Sequence, residues 1–458
     1  MRWTKWMKWA GAVVCVLCLM GCQTAVPGES AGTAEEREQA DVQAAGKMLD
    51  GLRQGSAALI VQSLDETLTG QISEEQLLQA WNAQTEALGA FQQTGEETVS
   101  KTGGQVTVSI PCQHEKGSQN FVCTFNEKGK LVGIWLRNVD APIANNSWDI
   151  PDGVTETDVV LGEATALELS GKLTLPMGDG PFPAVILVHG SGSTDMDETI
   201  GSNKPFRDLA YGLAERGVAV LRYDKSAYAH PEAFTGTEFT VDDEYTQTVK
   251  DAMACLKGNG QIGAVYLLGH SQGGMLAPYL MQKCGGFSGG IILAGTPRTL
   301  WDLIYRQNIE AIGTLPESQQ KTYLAQVEGE KERAQALDMG EMTEAERKTE
   351  TIFGIPAGYL YHMDQIDAIA LVKESRLPFM ILQGDQDFQV DATVDFEAWQ
   401  TGLGAENPDV SYRLYEGLNH LFMESKGEKK GTVAEYDTPG HVSKMVLDDI
   451  AVWIQTQA

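Results

Sequence analysis

Short apolar runs recur through the second two-thirds of the chain, and stretches with helical spacing separate them. The mostly apolar runs are residues 183–189, 218–223, 265–268, 290–294 and 378–382, and a more polar run at residues 410–415 follows them. Strands that are apolar throughout are covered on both faces, as in the parallel sheets of α/β proteins. Because helical stretches lie between the runs, the pattern predicts an α/β domain with a doubly wound, mainly parallel sheet.

The first part of the chain has a different pattern. Apolar residues recur at helical spacing in residues 40–64, and Ser73 with Gln76 has the spacing of a helix-capping box. Later positions alternate between polar and apolar, which predicts a three-stranded meander and hence a small α+β domain. A polar break with a proline follows, so we place two domains at residues 40–138 and 148–458. A chain of 458 residues is too long for one core of ordinary size, which agrees with two domains.

Two cysteines and a histidine stand out in the first domain. Counted from the turn predicted at residues 115–118, Cys112 lies about opposite Cys123. In an exported protein such a pair forms a cross-strand disulfide or stays as two buried thiols, and both interpretations are kept. His114 is expected in the turn, without a chemical role. No catalytic cluster is present, so we interpret the domain as a spacer or docking module whose protein partner is unknown.

The first 22 residues have the pattern of an export signal. Positive residues precede an apolar stretch at residues 10–20 that is too short to span a bilayer. The stretch ends in leucine, methionine, glycine and Cys22, which resembles the bacterial lipobox, in which the cysteine is lipidated and begins the mature chain. An ordinary secretory signal is the other interpretation. Residues 23–39 are small, polar and acidic, as in a flexible linker. We therefore expect an extracytoplasmic protein anchored to the cell membrane through lipid on Cys22.

The charge of the chain limits its partners. The formal net charge is −29, which repels nucleic acid and anionic lipid surfaces. We therefore expect no nucleic-acid partner, and contact with the membrane through the lipid anchor only. The cysteines beyond the lipobox lack the spacing of a metal site, and neither a metal nor a cofactor is expected.

The sequence Gly269-His-Ser-Gln-Gly273 has a chemical meaning in its context. It follows the apolar run at residues 265–268 and precedes a helical stretch. Glycines at both ends allow a cramped turn that exposes the oxygen of Ser271, and the N–H of Gln272 then points to where an oxyanion would form. The order strand, turn, helix favours Ser271 as a nucleophile. The alternative is a glycine-rich turn with a capping serine.

Several motifs of the second domain together resemble those of the α/β-hydrolases. They are residues 189–192 (HGSG), 222–224 (RYD), 269–273 (GHSQG), 384–387 (GDQD) with Val390, and 417–420 (GLNH). The resemblance covers residues 159–454 and is closest to bacterial esterases, dienelactone-hydrolase-like proteins and serine-aminopeptidase-like proteins. It implies a helical cap, which we assign to an insertion at residues 298–377 with helical spacing. The first domain resembles NTF2-like or cystatin-like modules, and a domain of unknown function with this pattern precedes many bacterial hydrolases.

The resemblance implies a catalytic triad in the chain order serine, acid, histidine. His420 follows the run at residues 410–415, where the family carries its base, and His441 is the alternative. Asp387 fits the family's G-x-x-D-x-x-V pattern, and Asp385 is the reserve candidate for the acid. The other interpretation of Asp385 is a side chain that stabilises its own turn. Asp391 is expected to cap the next helix.

The same resemblance implies that the second oxyanion donor is the backbone N–H of Ser191, with His189 bracing its loop. Asp195, Asp197 and Glu198 follow closely. We interpret them as caps and as partners for nearby cations such as Lys204 or Arg207. Recognition of a cationic substrate group is the other interpretation.

Arg222, Asp224 and Lys225 end a strand beside the predicted site, and we interpret them as ion-paired scaffolding. The other interpretation is that they line the substrate pocket. The expected function is hydrolysis of a carboxylic ester of a small molecule through an acyl-enzyme. The alternatives are a serine peptidase or amidase of the same fold, and a non-catalytic envelope binding protein on a hydrolase scaffold.

Overall fold

The computed structural model describes most of the chain from residue 34 onward, and residues 34–39, which were predicted as the end of a flexible linker, belong to a helix instead. The described residues are 34–65, 73–95, 97–102, 105–115, 118–139, 150–165, 167–234, 239–313, 315, 317–343, 346, 349–404, 407–427 and 429–457. The predicted signal, the lipobox and the break between the two domains lie outside the described residues. None of the described helices is both long enough and apolar enough to cross a membrane.

The first domain packs helices on an antiparallel sheet. Its helices are α1 (Ala34–Arg53), α2 (Ala58–Ser63) and α3 (Glu74–Leu88). Its strands are β1 (Phe91–Thr94), β2 (Thr98–Thr102), β3 (Gln105–His114), β4 (Ser118–Phe125) and β5 (Leu131–Val139), in the order β1-β3-β4-β5 with β2 also on β3. The predicted capping box begins α3, because Ser73 Oγ accepts from the Gln76 N–H and Gln76 Oε1 accepts from the Ser73 N–H. Apolar residues of α1 and the sheet, including Met48 and Phe121, form the core.

The register of this sheet corrects two predictions. Cys112 lies opposite Gln119 and Cys123 opposite Val108, so the two cysteines do not face each other. Both are buried free thiols, and no disulfide joins them. His114 is the last residue of β3 rather than a turn residue; it is buried, and its ring nitrogens contact the Gly89 carbonyl and the Gln119 amide. The alternating pattern predicted this strand at residues 121–125, but β4 begins at Ser118, which moves the turn and the register with it.

The second domain contains an eight-stranded sheet. Its strands are β6 (Val154–Leu161), β7 (Leu169–Pro176), β8 (Phe182–Val188), β9 (Ala219–Tyr223), β10 (Ile262–His270), β11 (Gly289–Leu293), β14 (Phe379–Gly384) and β15 (Val410–Tyr415). The strand order is β15-β14-β11-β10-β8-β9-β7-β6. The strands from β15 to β9 are parallel neighbours, whereas β7 pairs antiparallel with β9 and with β6.

Helices cover both faces of this sheet. They are α4 (Pro205–Ala214), α5 (Ser226–Ala229), α6 (Gln247–Lys257), α7 (Gln272–Cys284), and, after the segment described next, α11 (Ala368–Ser375), α12 (Glu397–Leu403) and α13 (Lys444–Gln457). Val185 and Leu187 of β8 pack with α4 and α13, while the alternate residues Ala184 and Ile186 are equally buried on the other face. The predicted fold class is therefore confirmed: a doubly wound, mainly parallel α/β sheet preceded by a small α+β domain.

A separate compact unit is formed by residues 234–241 and 299–365. Its helices are α8 (Leu300–Gly313), α9 (Glu317–Gln335) and α10 (Ala357–Asp364), and a short hairpin joins β12 (Thr351–Ile352) to β13 (Ile355–Pro356). Within the unit, the rings of Phe239 and Tyr359 are 5.5 Å apart. This unit contains most of the predicted cap, and α11 belongs to the sheet unit.

Candidate active site

Ser271 occupies a strained turn between β10 and α7. Its φ is 53° and its ψ is −118°, a conformation that a residue with a side chain rarely adopts. The turn depends on its two glycines, because a Cβ on Gly269 would lie 2.1 Å from the Gly273 carbonyl oxygen and one on Gly273 would lie 2.3 Å from the Val188 carbonyl oxygen. The Ser271 N–H donates to the Leu293 carbonyl at 2.8 Å, which fixes the turn to the neighbouring strand.

Asp387 and His420 come together from the loops after β14 and β15. His420 Nδ1 lies 2.7 Å from Asp387 Oδ2, and both side chains are almost completely buried. Asp387 also accepts from the backbone N–H groups of Gln389 and Val390 and from the Gln383 amide. A carboxylate held by so many donors can only accept from the ring, so Nδ1 carries the proton of the neutral imidazole. The lone pair on Nε2 is then available to act as a base.

The loop that carries His420 is fixed by its own backbone. His270 Nε2 lies 2.9 Å from the His420 carbonyl oxygen, and the centroids of the two rings are 4.7 Å apart. Asn419 Oδ1 accepts from the N–H groups of Leu421 and Met423, which closes the turn around His420. The structure thus brings His420 and Asp387 together, and brings His420 against the residue that precedes Ser271.

The loop at residues 189–192 lies against the Ser271 turn. A Cβ on Gly190 would be 3.0 Å from Ser271 Cβ. His189 braces the loop as predicted, because its Nε2 lies 3.0 Å from the Asp195 carbonyl oxygen. Burial lowers the pKa of His189 to about 4, so its ring is neutral at pH 7. Ser191, the predicted second oxyanion donor, is the exposed residue that follows Gly190.

A second buried histidine–carboxylate pair lies behind this site. Glu198 Oε2 is 2.9 Å from His270 Nδ1, and Glu198 Oε1 accepts from the Gly190 N–H at 2.7 Å. Burial alone would disfavour the charge on His270, but the Glu198 carboxylate outweighs that effect and raises the pKa of His270. Glu198 thus connects the Ser271 turn to the 189–192 loop. The sequence predicted Glu198 as a cap, a partner for nearby cations or a residue that recognises a cationic substrate group, and no local signal points to His270, 72 positions away.

The remaining acidic candidates have structural partners. Asp197 pairs with Arg222 and Lys204 at 3.0 Å each and also with Arg207. This agrees with the prediction that Asp197 is a partner for nearby cations such as Lys204 or Arg207. Asp195 accepts from the side chain and N–H of Thr199.

The reserve members of the triad also have other roles. Asp385 accepts from the Gly417 N–H and so stabilises a turn, and Asp391 caps the next helical turn as predicted. His441 lies 2.9 Å from Asp208, before the terminal helix begins. In the described part of the chain, no group of three or more histidine, cysteine or acidic residues is arranged to hold a metal.

Comparisons with known proteins place both domains in families. Residues 180–426 match the family described as serine aminopeptidase, S33. Residues 45–134 match a family described as protein of unknown function (DUF3887), which confirms that a domain of unknown function precedes the hydrolase. Esterase EstD from Thermotoga maritima is 32% identical over 386 residues, which are 84% of this chain and 88% of that protein.

Two solved structures of esterases are more distant. One from Pyrococcus furiosus is 15% identical, covering 66% of this chain and 91% of its own, with a TM-score of 0.42. Est1E from Butyrivibrio proteoclasticus is 16% identical, covering 66% and 98%, with a TM-score of 0.42. Likeness at this level does not inform the chemistry of this chain. The family match over residues 180–426 and the relative at 32% identity establish the family. The chain belongs to the serine aminopeptidase S33 family of α/β-hydrolases and is a hydrolase.

Proposed function

We propose that the chain hydrolyses a carboxylic ester of a small molecule, with Ser271 as nucleophile, His420 as base and Asp387 as its partner. The observation that carries the proposal is the buried hydrogen bond of 2.7 Å from His420 to Asp387, on a loop that contacts the residue before the strained Ser271. The similarity to an esterase at 32% identity supports an ester as the substrate.

The proposed reaction proceeds through an acyl-enzyme. His420 Nε2 takes the proton of Ser271 Oγ as that oxygen attacks the ester carbonyl, and Asp387 stabilises the imidazolium that forms. The backbone N–H groups of Gln272 and Ser191 bind the oxyanion of the tetrahedral intermediate. His420 then gives its proton to the leaving alcohol. Water, activated by the same base, releases the acid and restores Ser271.

A fluorophosphonate probe tests the nucleophile directly. The purified protein is expected to be labelled at Ser271 and to hydrolyse short aryl esters, and Ser271→Ala should abolish both. Ser411→Ala, on the strand β15, is a matched control that should keep full labelling. Undiminished labelling of Ser271→Ala, or no labelling of the wild-type protein, contradicts the proposed nucleophile.

A serine peptidase or amidase is the second candidate, because the matched family is described as serine aminopeptidase. A peptide bond has a poorer leaving group than an ester, so amide hydrolysis demands more of the general acid. A panel of aryl esters and aminoacyl-arylamides separates the two. Greater kcat/KM on the arylamides than on the matched esters would replace the ester proposal with the peptidase.

We also propose that the mature protein is a lipoprotein on the outer face of the cell membrane. The LMGC sequence that ends at Cys22 supports this location. In a bacterial host fed labelled palmitate, the wild-type protein is expected to take up label and to fractionate with membranes. Cys22→Ser should prevent both, whereas Cys18→Ser, within the apolar stretch of the signal, should not. A Cys22→Ser protein that still takes up label would refute the anchor.

A further inference from the structure

A buried lysine contacts the backbone of the predicted oxyanion loop. Lys225 follows β9 and is 1% exposed. Its Nζ donates to the Gly190 carbonyl oxygen at 2.8 Å, donates to the Tyr245 hydroxyl at 2.7 Å, and pairs with Glu244 at 2.8 Å. The three N–H bonds of the ammonium group are thus all directed at acceptors. Burying a cation is costly even when it is paired, and an apolar residue is often at least as stable, so stability alone does not explain this lysine.

The Gly190 carbonyl accepts from two donors. The Tyr245 hydroxyl donates to the same oxygen at 3.1 Å, so the carbonyl is held by a charged and a neutral donor in the interior. The N–H of Gly190 itself donates to Glu198 Oε1 at 2.7 Å. Gly190 is therefore fixed on both sides, and its own N–H is not available to an oxyanion.

The geometry of the peptide group transmits this contact to Ser191. The Gly190 carbonyl and the Ser191 N–H belong to one planar peptide unit, and in the trans form they point in opposite directions. With the carbonyl turned toward Lys225, the Ser191 N–H points away from it. Within the described part of the chain, no hydrogen bond uses this N–H. Ser191 follows Gly190, on which an added Cβ would lie 3.0 Å from Ser271 Cβ.

We propose that Lys225 is a positioning residue for the oxyanion hole, an inference that rests on the proposed function. Its ammonium group aligns the 190–191 peptide and draws electron density toward the carbonyl, which makes the Ser191 N–H a stronger donor. Hydrogen bonds in series polarise one another in this way, most strongly at low dielectric. Lys225 does not touch the substrate. It acts through the Gly190 carbonyl, with the Tyr245 hydroxyl as a weaker second donor.

The variants Lys225→Met and Tyr245→Phe test this inference. Loss of a whole oxyanion donor costs about 100- to 1000-fold in kcat, so loss of its alignment and polarisation should cost about 10- to 100-fold for Lys225→Met and less for Tyr245→Phe. KM should change little, because the ground-state ester carries no developed charge. A trifluoromethyl ketone forms a tetrahedral oxyanion adduct on the nucleophile, so its Ki should rise in proportion to the fall in kcat.

Two further variants separate positioning from folding. Lys225→Met removes the ammonium group that pairs with Glu244, and Lys225→Met/Glu244→Gln removes that carboxylate charge as well. If the double variant regains the wild-type kcat, Lys225 only neutralises Glu244 and the inference is wrong. Arg222→Met is the matched control, because Arg222 is an equally buried cation on β9 that pairs with Glu156 and Asp197. It should lower the melting temperature while kcat and Ki stay within about threefold of wild type.

The two proposals fail in different ways. If wild-type protein is labelled at Ser271 and folded Lys225→Met keeps kcat and Ki within threefold of wild type, the positioning role alone is refuted. If the wild-type protein is neither labelled by the fluorophosphonate nor inhibited by the ketone, the proposed nucleophile is refuted, and the role of Lys225 falls with it.

Discussion

Replacing Glu198 by glutamine should destabilise the hydrolase domain in a pH-dependent way. Glu198 is 2% exposed and has two partners, His270 and the Gly190 N–H. Removing one member of a buried ion pair typically costs about 3–5 kcal/mol. Glutamine keeps an oxygen for the Gly190 N–H, so we expect the lower end, about 3 kcal/mol. For a domain of this size that corresponds to a fall of about 6 °C in the melting temperature.

The pH dependence follows from the direction of each pKa shift. The pKa of His270 is raised above its ordinary 6.5, so the stability from its charge is complete below pH 6.5 and is lost as the pH rises through the folded pKa. The pKa of Glu198 is lowered from 4.5, so its contribution is lost only as the pH falls below that value. The difference between wild type and Glu198→Gln should therefore be greatest between pH 4.5 and 6.5 and smaller at pH 9.

Thermal unfolding followed by differential scanning fluorimetry at pH 5.5 and pH 9 measures this difference. Glu163→Gln, a change at an exposed glutamate of the same domain, serves as the control and should leave the melting temperature unchanged. A gap between wild type and Glu198→Gln that is equal at both pH values, or a gap below about 2 °C at pH 5.5, would show that no stabilising ion pair exists.

Three further outcomes are expected. Gly273→Ala should prevent soluble expression, since its Cβ would lie 2.3 Å from a carbonyl oxygen, whereas Gly263→Ala has 3.5 Å of room and should fold; a folded, active Gly273→Ala protein would refute the tight turn. Native Cys112 and Cys123 should resist iodoacetamide at pH 8, because burial raises the pKa of Cys112 to about 11 and that of Cys123 further, and mass spectrometry should find both alkylated only after unfolding in urea. Asp387→Asn should lower kcat by about 1000- to 10 000-fold with little change in KM, because an amide nitrogen at that position would not accept a hydrogen bond from the imidazole. Steady-state kinetics on an aryl ester measure this loss, and a much smaller loss would contradict the proposed role of Asp387.

The parts of the fold that follow from local pattern were predictable. The runs of apolar residues correspond to β8, β9, β10, β11 and β14 because buried parallel strands need apolar residues on both faces, whereas β15 lies at the edge of the sheet and is partly exposed. The strand, turn and helix around Ser271 were likewise predicted from residues that are neighbours in the sequence. Asp387 and His420 were predicted from chain order and a family pattern, and their 2.7 Å contact agrees with that prediction, although their catalytic roles remain proposals.

The features that were missed depend on long-range contacts or on polar strands. The residues from Ser118 to Asn120 are polar, so the start of β4 was not visible and the predicted register of Cys112 was wrong. In the sequence, Glu198 was interpreted as a cap or cation partner and Lys225 as ion-paired scaffolding, and neither was assigned its partner. Only the folded chain brings Glu198 to His270 and Lys225 to the Gly190 carbonyl, because partners 72 and 35 positions apart leave no periodic signal.

The attachment of His420 through its main chain has a consequence for chemical rescue. His270 holds the carbonyl of residue 420, and Asn419 holds the turn, so neither contact needs the imidazole side chain. The variant His420→Ala should therefore keep the backbone conformation of this loop and leave a space the size of the imidazole ring beside Asp387. A small diffusible base such as free imidazole could enter that space, hydrogen-bond to the carboxylate and return part of the lost turnover, with saturation at high imidazole concentration.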